Sequence, residues 1–138
     1  MEKSGKPFTL SVYFKSENLP KYVRMHDKYC YEELSSIFES IDLLIVPSVW
    51  FETFGYTVSE ALSYGVPVVV SSHVGAQDII PKNAGVIYDS DSKEDLLNIL
   101  KNMDSTILTK MNSAICDSYQ VLTVSEMSKS INKYLYQK

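Results

Sequence analysis

Two runs without a polar residue, Leu43-Leu44-Ile45-Val46 and Val66-Pro67-Val68-Val69-Val70, constrain this chain more than any other feature. Apolar runs of this length without alternation suit strands covered on both faces, the condition of a parallel sheet between helices. Pro47 closes the first run because it cannot donate to a central ladder, and Pro67 lies near the start of the second, where it is tolerated. Both are far shorter than the roughly 20 residues that span a bilayer. Residues 1–7 lead into no long apolar stretch of the signal-peptide kind, so the expected location is cytoplasmic.

The hydrophobic period alternates around these runs. Residues 8–14 alternate as a strand, and the Asn18-Leu19-Pro20 turn leads to a short strand at 22–25. Leu34, Ile37, Phe38 and Ile41 then share one helical face. Residues 56–64 read as a helix ended by Gly65, 75–80 as a turn or short helix, and 85–88 as a strand. Ser92-Lys93-Glu94-Asp95 resembles a helix start, with Leu96, Leu97, Leu100 and Met103 on one face behind it. Helices at about 107–119 and 124–136 close the chain, the second carrying Met127, Ile131 and Leu135 four apart. The expectation is one α/β domain, a parallel sheet sandwiched by helices with right-handed crossovers. Ligands in such folds sit beyond the carboxyl ends of the strands, here just after Met25, Val46, Val70 and Tyr88.

Charge and cysteine usage exclude several functions. Thirteen basic against 17 acidic residues give a net charge of −4, and Arg24 is the only arginine, which speaks against a nucleic-acid partner. Cys30 and Cys116 have no CxxC partner, so they are expected as buried or half-buried free thiols. His26 and His73 stand alone and are assigned to no metal. Lys129, Lys133 and Lys138 could touch a lipid surface, although a solvated face is the favoured reading.

Chemistry concentrates in residues 47–68. This stretch leaves a strand, passes through a loop holding Glu52 and Gly55, and opens a helix with Glu60 one turn inside. Two carboxylates therefore approach one crevice, and an ionised carboxylate can accept both hydroxyls of a vicinal diol. The amides of Gly55, Tyr56 and Thr57 at the helix start form an anion site. Each residue also has a structural reading. Thr57-Val58-Ser59-Glu60 matches a capping box, which taken alone is the favoured role for Glu60. Gly55 could be a turn glycine and Glu52 a solvated charge, while Trp50, Phe51 and Phe54 are packing aromatics by default, with a neighbouring domain as one surface they could face.

Pro47-Ser48, Glu52, Glu60-Ala61 and Gly65-Val66-Pro67-Val68, in this order and spacing, resemble the carboxylate signature of retaining GT-B glycosyltransferases of the group 1, or family 4, type. The resemblance runs outward to Tyr31-Glu32-Glu33-Leu34, Ile41-Asp42, Gly75 and Gly85-Val86-Ile87-Tyr88, covering roughly residues 8 to 101. It implies the Rossmann-like carboxy-terminal half of a GT-B enzyme, binding a nucleotide sugar of UDP, GDP or ADP type. Glu52 is then the catalytic carboxylate that contacts hydroxyls of the transferred sugar. Glu60 takes the ribose hydroxyls, and the backbone of Phe54, Gly55, Tyr56 and Thr57 holds sugar and diphosphate. The base would lie around His26 to Tyr29. No metal or separate cofactor is implied, only the donor substrate. Such enzymes carry an Arg and a Lys after the first strand of this half, preceded by an acceptor-binding domain, and no matching segment precedes Phe8. The chain is therefore expected to be a fragment lacking that domain and the phosphate loop, and unable to complete transfer alone. A non-catalytic nucleotide-sugar-binding or regulatory module of the same fold is the alternative. Half of a nucleotide-sugar epimerase is a third reading, which needs further acid and base residues.

Overall fold

The computed structural model describes residues 8–15, 17–121 and 124–136. The elements in chain order are β1 (Leu10–Val12), β2 (Val23–Met25), a 3-10 turn at Tyr31–Glu33, α1 (Leu34–Glu39), β3 (Leu44–Val46) and α2 (Tyr56–Ser63). There follow β4 (Val68–Ser71), a 3-10 segment at Gly75–Ile79, β5 (Gly85–Tyr88), α3 (Lys93–Asn102), α4 (Ser105–Ser118) and α5 (Val124–Tyr136).

All strand pairing is parallel, as expected, and is divided between two ladders. One joins β1 to β2 with Leu10 opposite Val23, and the other runs β3-β4-β5 with Leu44 opposite Val68 and Val68 opposite Gly85. Helices flank the strands, which makes the fold a Rossmann-like α/β arrangement. In β4, Val68, Val69, Val70 and Ser71 are fully buried. Although equally apolar, β3 pairs with β4 alone and is only half-buried, so the expectation of a strand covered on both faces holds for residues 68–70 and not for 44–46.

The core lies between β4 and the helices: Val58, Ala61 and Leu62 of α2, Leu34 and Phe38 of α1, and Ile115 of α4 pack with Val68 and Val70. Removing a side chain such as Leu62 from water contributes about 1.5–3 kcal/mol. The Phe38 ring also stacks on Tyr64 at 5.2 Å. Ser92 caps α3, its hydroxyl accepting from the Asp95 amide at 3.1 Å. At α4 the Asp104 carboxylate accepts from the Ile107 amide at 2.9 Å, which explains why this helix begins two residues before the expected boundary.

Several sequence expectations need correction. Cys30 and Cys116 are exposed rather than buried. The Cys30 thiol bonds the Glu33 carboxylate at 3.2 Å, and Cys116 lies on the outer side of α4, next to the buried Ile115. Backbone bounds of α5 agree with the expectation, but the side chains of Met127 and Leu135 lie outside the described residues, as does Lys138, and Ile131 is exposed. Among the described residues no helix is long and apolar enough to cross a membrane.

Candidate functional site

The tips of β3 and β4 and the start of α2 build one crevice. The loop leaving β3 is tied to the segment leaving β4 at several points. Buried Ser71 donates its hydroxyl to the Ser48 carbonyl at 2.6 Å, and the Glu52 amide donates to the His73 carbonyl at 2.9 Å within a parallel bridge between Glu52 and Val74. Gly75 crosses directly over this loop. A Cβ there would stand 2.7 Å from the Glu52 carbonyl oxygen and collide with that of Thr53, so only glycine lets the two backbones meet.

The Glu52 side chain is consequently held. Its Oε1 accepts from the Ser48 hydroxyl. Its Oε2 lies against Gly55, 3.2 Å from where a Cβ would be. Gly55 has φ 93°, a left-handed value that side chains avoid, and caps α2 without any side-chain hydrogen bond. The Val58 amide bonds the Gly55 carbonyl at 3.0 Å, which leaves the amides of Tyr56 and Thr57 aimed outward at the start of the helix. The capping-box reading of Glu60 fails here. Thr57 is the second residue of the helix and Glu60 the fifth, too far along to return a bond to the cap, so its half-buried carboxylate lines the crevice instead.

The crevice is open and about 620 Å³ in volume. All six residues expected from the sequence line it: Glu52, Phe54, Gly55, Tyr56, Thr57 and Glu60. Tyr29, Phe51 and Thr53 join them. Phe54 packs half-buried against the core, whereas Trp50 and Phe51 are 80% and 83% exposed and take no part in the core of this domain. Of the segment expected near the base, Tyr29 alone reaches the crevice. His26 instead stacks on Tyr13 at 4.8 Å, and the Tyr29 ring meets Tyr13 edge-on at 5.3 Å. Burial, then the neighbouring Tyr29 phenol and Glu33 carboxylate, raises the pKa of Tyr13, which keeps that hydroxyl neutral. Among the described residues no lysine or arginine lines the crevice, and Arg24 is exposed on β2. Among the described residues no group of three or more His, Cys, Asp or Glu could hold a metal ion. Sequence reasoning missed His73, whose partners Val49 and Ser90 lie far along the chain in other loops and leave no local signal, and it gave Ser48 no role beyond its place in the signature.

The parallel Rossmann-like fold is that of GT-B glycosyltransferases, the class of the structural neighbours. The chain belongs to the family described as glycosyl transferases group 1, which matches residues 4–105. Sulfoquinovosyl transferase SQD2 of Arabidopsis thaliana is 36% identical over 76 residues, covering 52% of this chain and 15% of that protein. Sucrose-phosphate synthase of Thermosynechococcus elongatus superposes with a TM-score of 0.63 at 20% identity, covering 83% of this chain and 30% of that one. HepE of Anabaena, in complex with UDP and glucose, gives 0.64 at 20% identity, covering 83% and 33%. This chain thus spans 15% of the curated relative's length and about a third of each structural neighbour's.

Proposed function

We propose that this chain is the donor-binding half of a retaining glycosyltransferase, taking a nucleotide sugar and working with an acceptor-binding domain. The observation that carries this reading is the placement of Glu52 and Glu60 in one crevice beside an uncapped helix start. The neighbour HepE, in complexes with UDP and UDP-glucose, supports a donor of that chemistry. In this reading Glu60 accepts both ribose hydroxyls, and Glu52, already oriented by Ser48, accepts hydroxyls of the transferred sugar. The amides of Tyr56 and Thr57 face the diphosphate, and Tyr29 offers its ring to the base. As the bond from the anomeric carbon to the diphosphate oxygen breaks, negative charge grows on the departing nucleoside diphosphate. The helix start stabilises that charge, while the two carboxylates hold the sugar and ribose in register.

An NMR titration of the 138-residue chain with UDP, GDP and ADP, and with the glucose conjugate of each, tests this. One nucleotide is expected to shift the amides of Gly55, Tyr56 and Thr57. Glu60→Gln should weaken both its free and sugar-linked forms about tenfold, through a lost charge-assisted bond of about 1.4 kcal/mol. Glu52→Gln should weaken only the sugar-linked form. If none of the six ligands moves the crevice amides, the reading is wrong.

The lack of a lysine or arginine among the described residues that line the crevice favours a second reading, a nucleotide-sugar-binding module of the same fold that does no chemistry. Phosphorus NMR of the bound nucleotide sugar separates the two. With an acceptor-binding domain and an acceptor supplied, release of free nucleoside diphosphate marks the enzyme, and binding without release marks the module.

A further inference from the structure

His73 sits between the two loops that leave β3 and β5, and its two ring nitrogens have different partners. Nδ1 lies 3.0 Å from the Val49 carbonyl oxygen, which can only accept, so Nδ1 carries the hydrogen. Nε2 is then an acceptor and lies 3.1 Å from the Ser90 hydroxyl, which donates to it. The Ser90 hydroxyl oxygen receives the Ser72 hydroxyl at 3.2 Å, and the Ser72 oxygen receives the Ser90 amide, also at 3.2 Å. With the Nδ1–H tautomer every hydrogen in this relay has one direction and an acceptor.

The same residue touches the Glu52 loop twice more. Its ring lies 4.0 Å from that of Phe51 at 38°, and its carbonyl receives the Glu52 amide. Burial cannot hold this loop, because Val49, Trp50 and Phe51 are 69%, 80% and 83% exposed. Its position therefore depends on directed contacts, and most of them end on His73.

We propose that His73 is the positioning residue of this site, a clamp that fixes the Glu52 loop against the loop after β5 and so sets where the Glu52 carboxylate meets the sugar. Its effect on binding rests on the reading of Glu52 given above; the clamp itself does not.

Nitrogen-15 shifts of the His73 ring test the tautomer, with the Nδ1–H form expected and the Nε2–H form overturning the proposal. His73→Phe keeps a ring for Phe51 but no donor, whereas the side-chain amide of His73→Asn can donate near the place of Nδ1. The phenylalanine variant should move the Val49, Phe51 and Glu52 amides, and the asparagine variant should return them towards wild type. With the nucleotide that wild type binds best among UDP, GDP and ADP, His73→Phe should weaken the glucose conjugate about fivefold and leave the free diphosphate within about twofold, with partial recovery in His73→Asn. A general structural defect would weaken both ligands together and sink the proposal, as would unchanged loop amides. A wild-type chain that binds no glucose conjugate defeats the reading of Glu52, while the ring tautomer and loop amides still decide whether His73 is the clamp.

Discussion

The chain places a glutamate three residues after a prospective cap at two helix starts, Cys30 to Glu33 and Thr57 to Glu60, and uses it in opposite ways. At the first, Cys30 is the cap, with extended φ −101° and ψ 168°, and its amide donates to the Glu33 carboxylate at 2.8 Å. That bond, followed by the one from the Cys30 thiol, lowers the pKa of Glu33, and the carboxylate in turn raises that of Cys30. At the second, the left-handed Gly55 lets α2 begin at Tyr56, so Thr57 is already helical and cannot cap. Glu60 is released from the backbone and turned over to the crevice. The same spacing thus serves a cap in one place and a crevice wall in the other, and the residue that separates them is a glycine outside the motif.

Substitutions can break or sharpen this contrast. Gly75→Ala should have the largest effect, about 3 kcal/mol of lost stability or a displaced loop, because its methyl group would run into the Glu52 and Thr53 backbone. Thermal melting together with the Glu52 amide shift reads both outcomes. Gly55→Ala follows at about 2 kcal/mol, from the left-handed φ and from Val74 Cγ1 standing 3.0 Å from the new carbon. A melting point unchanged by that substitution would mean that Gly55 does not set the helix start. Glu60→Gln should alter stability by no more than about 0.5 kcal/mol, since no backbone bond depends on it. A larger loss would restore the capping role and erase the contrast.

The finest distinction is in pH. Glu33 is depressed in the folded chain, so its contribution is present above the ordinary glutamate range and is lost as the pH falls through the lowered folded value. Hydrogen-exchange protection of the Cys30 amide should therefore drop on acidification through that window. Glu33→Gln should show reduced protection of the same amide at neutral pH. Protection at Cys30 that is indifferent to both changes would count against the back-bond.

Much of this was legible in order and period. The strand at Gly85–Tyr88 and the bounds of α5 follow directly from local hydrophobic period. Glu52, Gly55 and Glu60 were legible by spacing, since a loop between a strand end and a helix start brings nearby residues to one crevice. Exposure was not legible. Trp50 and Phe51 look like core residues by type, yet both are exposed, Phe51 at the crevice, and Cys30 and Cys116 are surface thiols. His73 gave no signal, because its partners Val49 and Ser90 are 24 and 17 residues away along the chain.

The sequence by itself determined the alternation of strand and helix, the parallel pairing and the segment that lines the crevice, because hydrophobic period and turn residues act over a few neighbours. The tertiary structure alone decided which apolar strand is interior, which glutamate is spent on a cap, and which histidine holds a loop. Those outcomes depend on backbones that cross far apart in sequence, as Gly75 does over Glu52 and Thr53, and no local pattern records such a crossing.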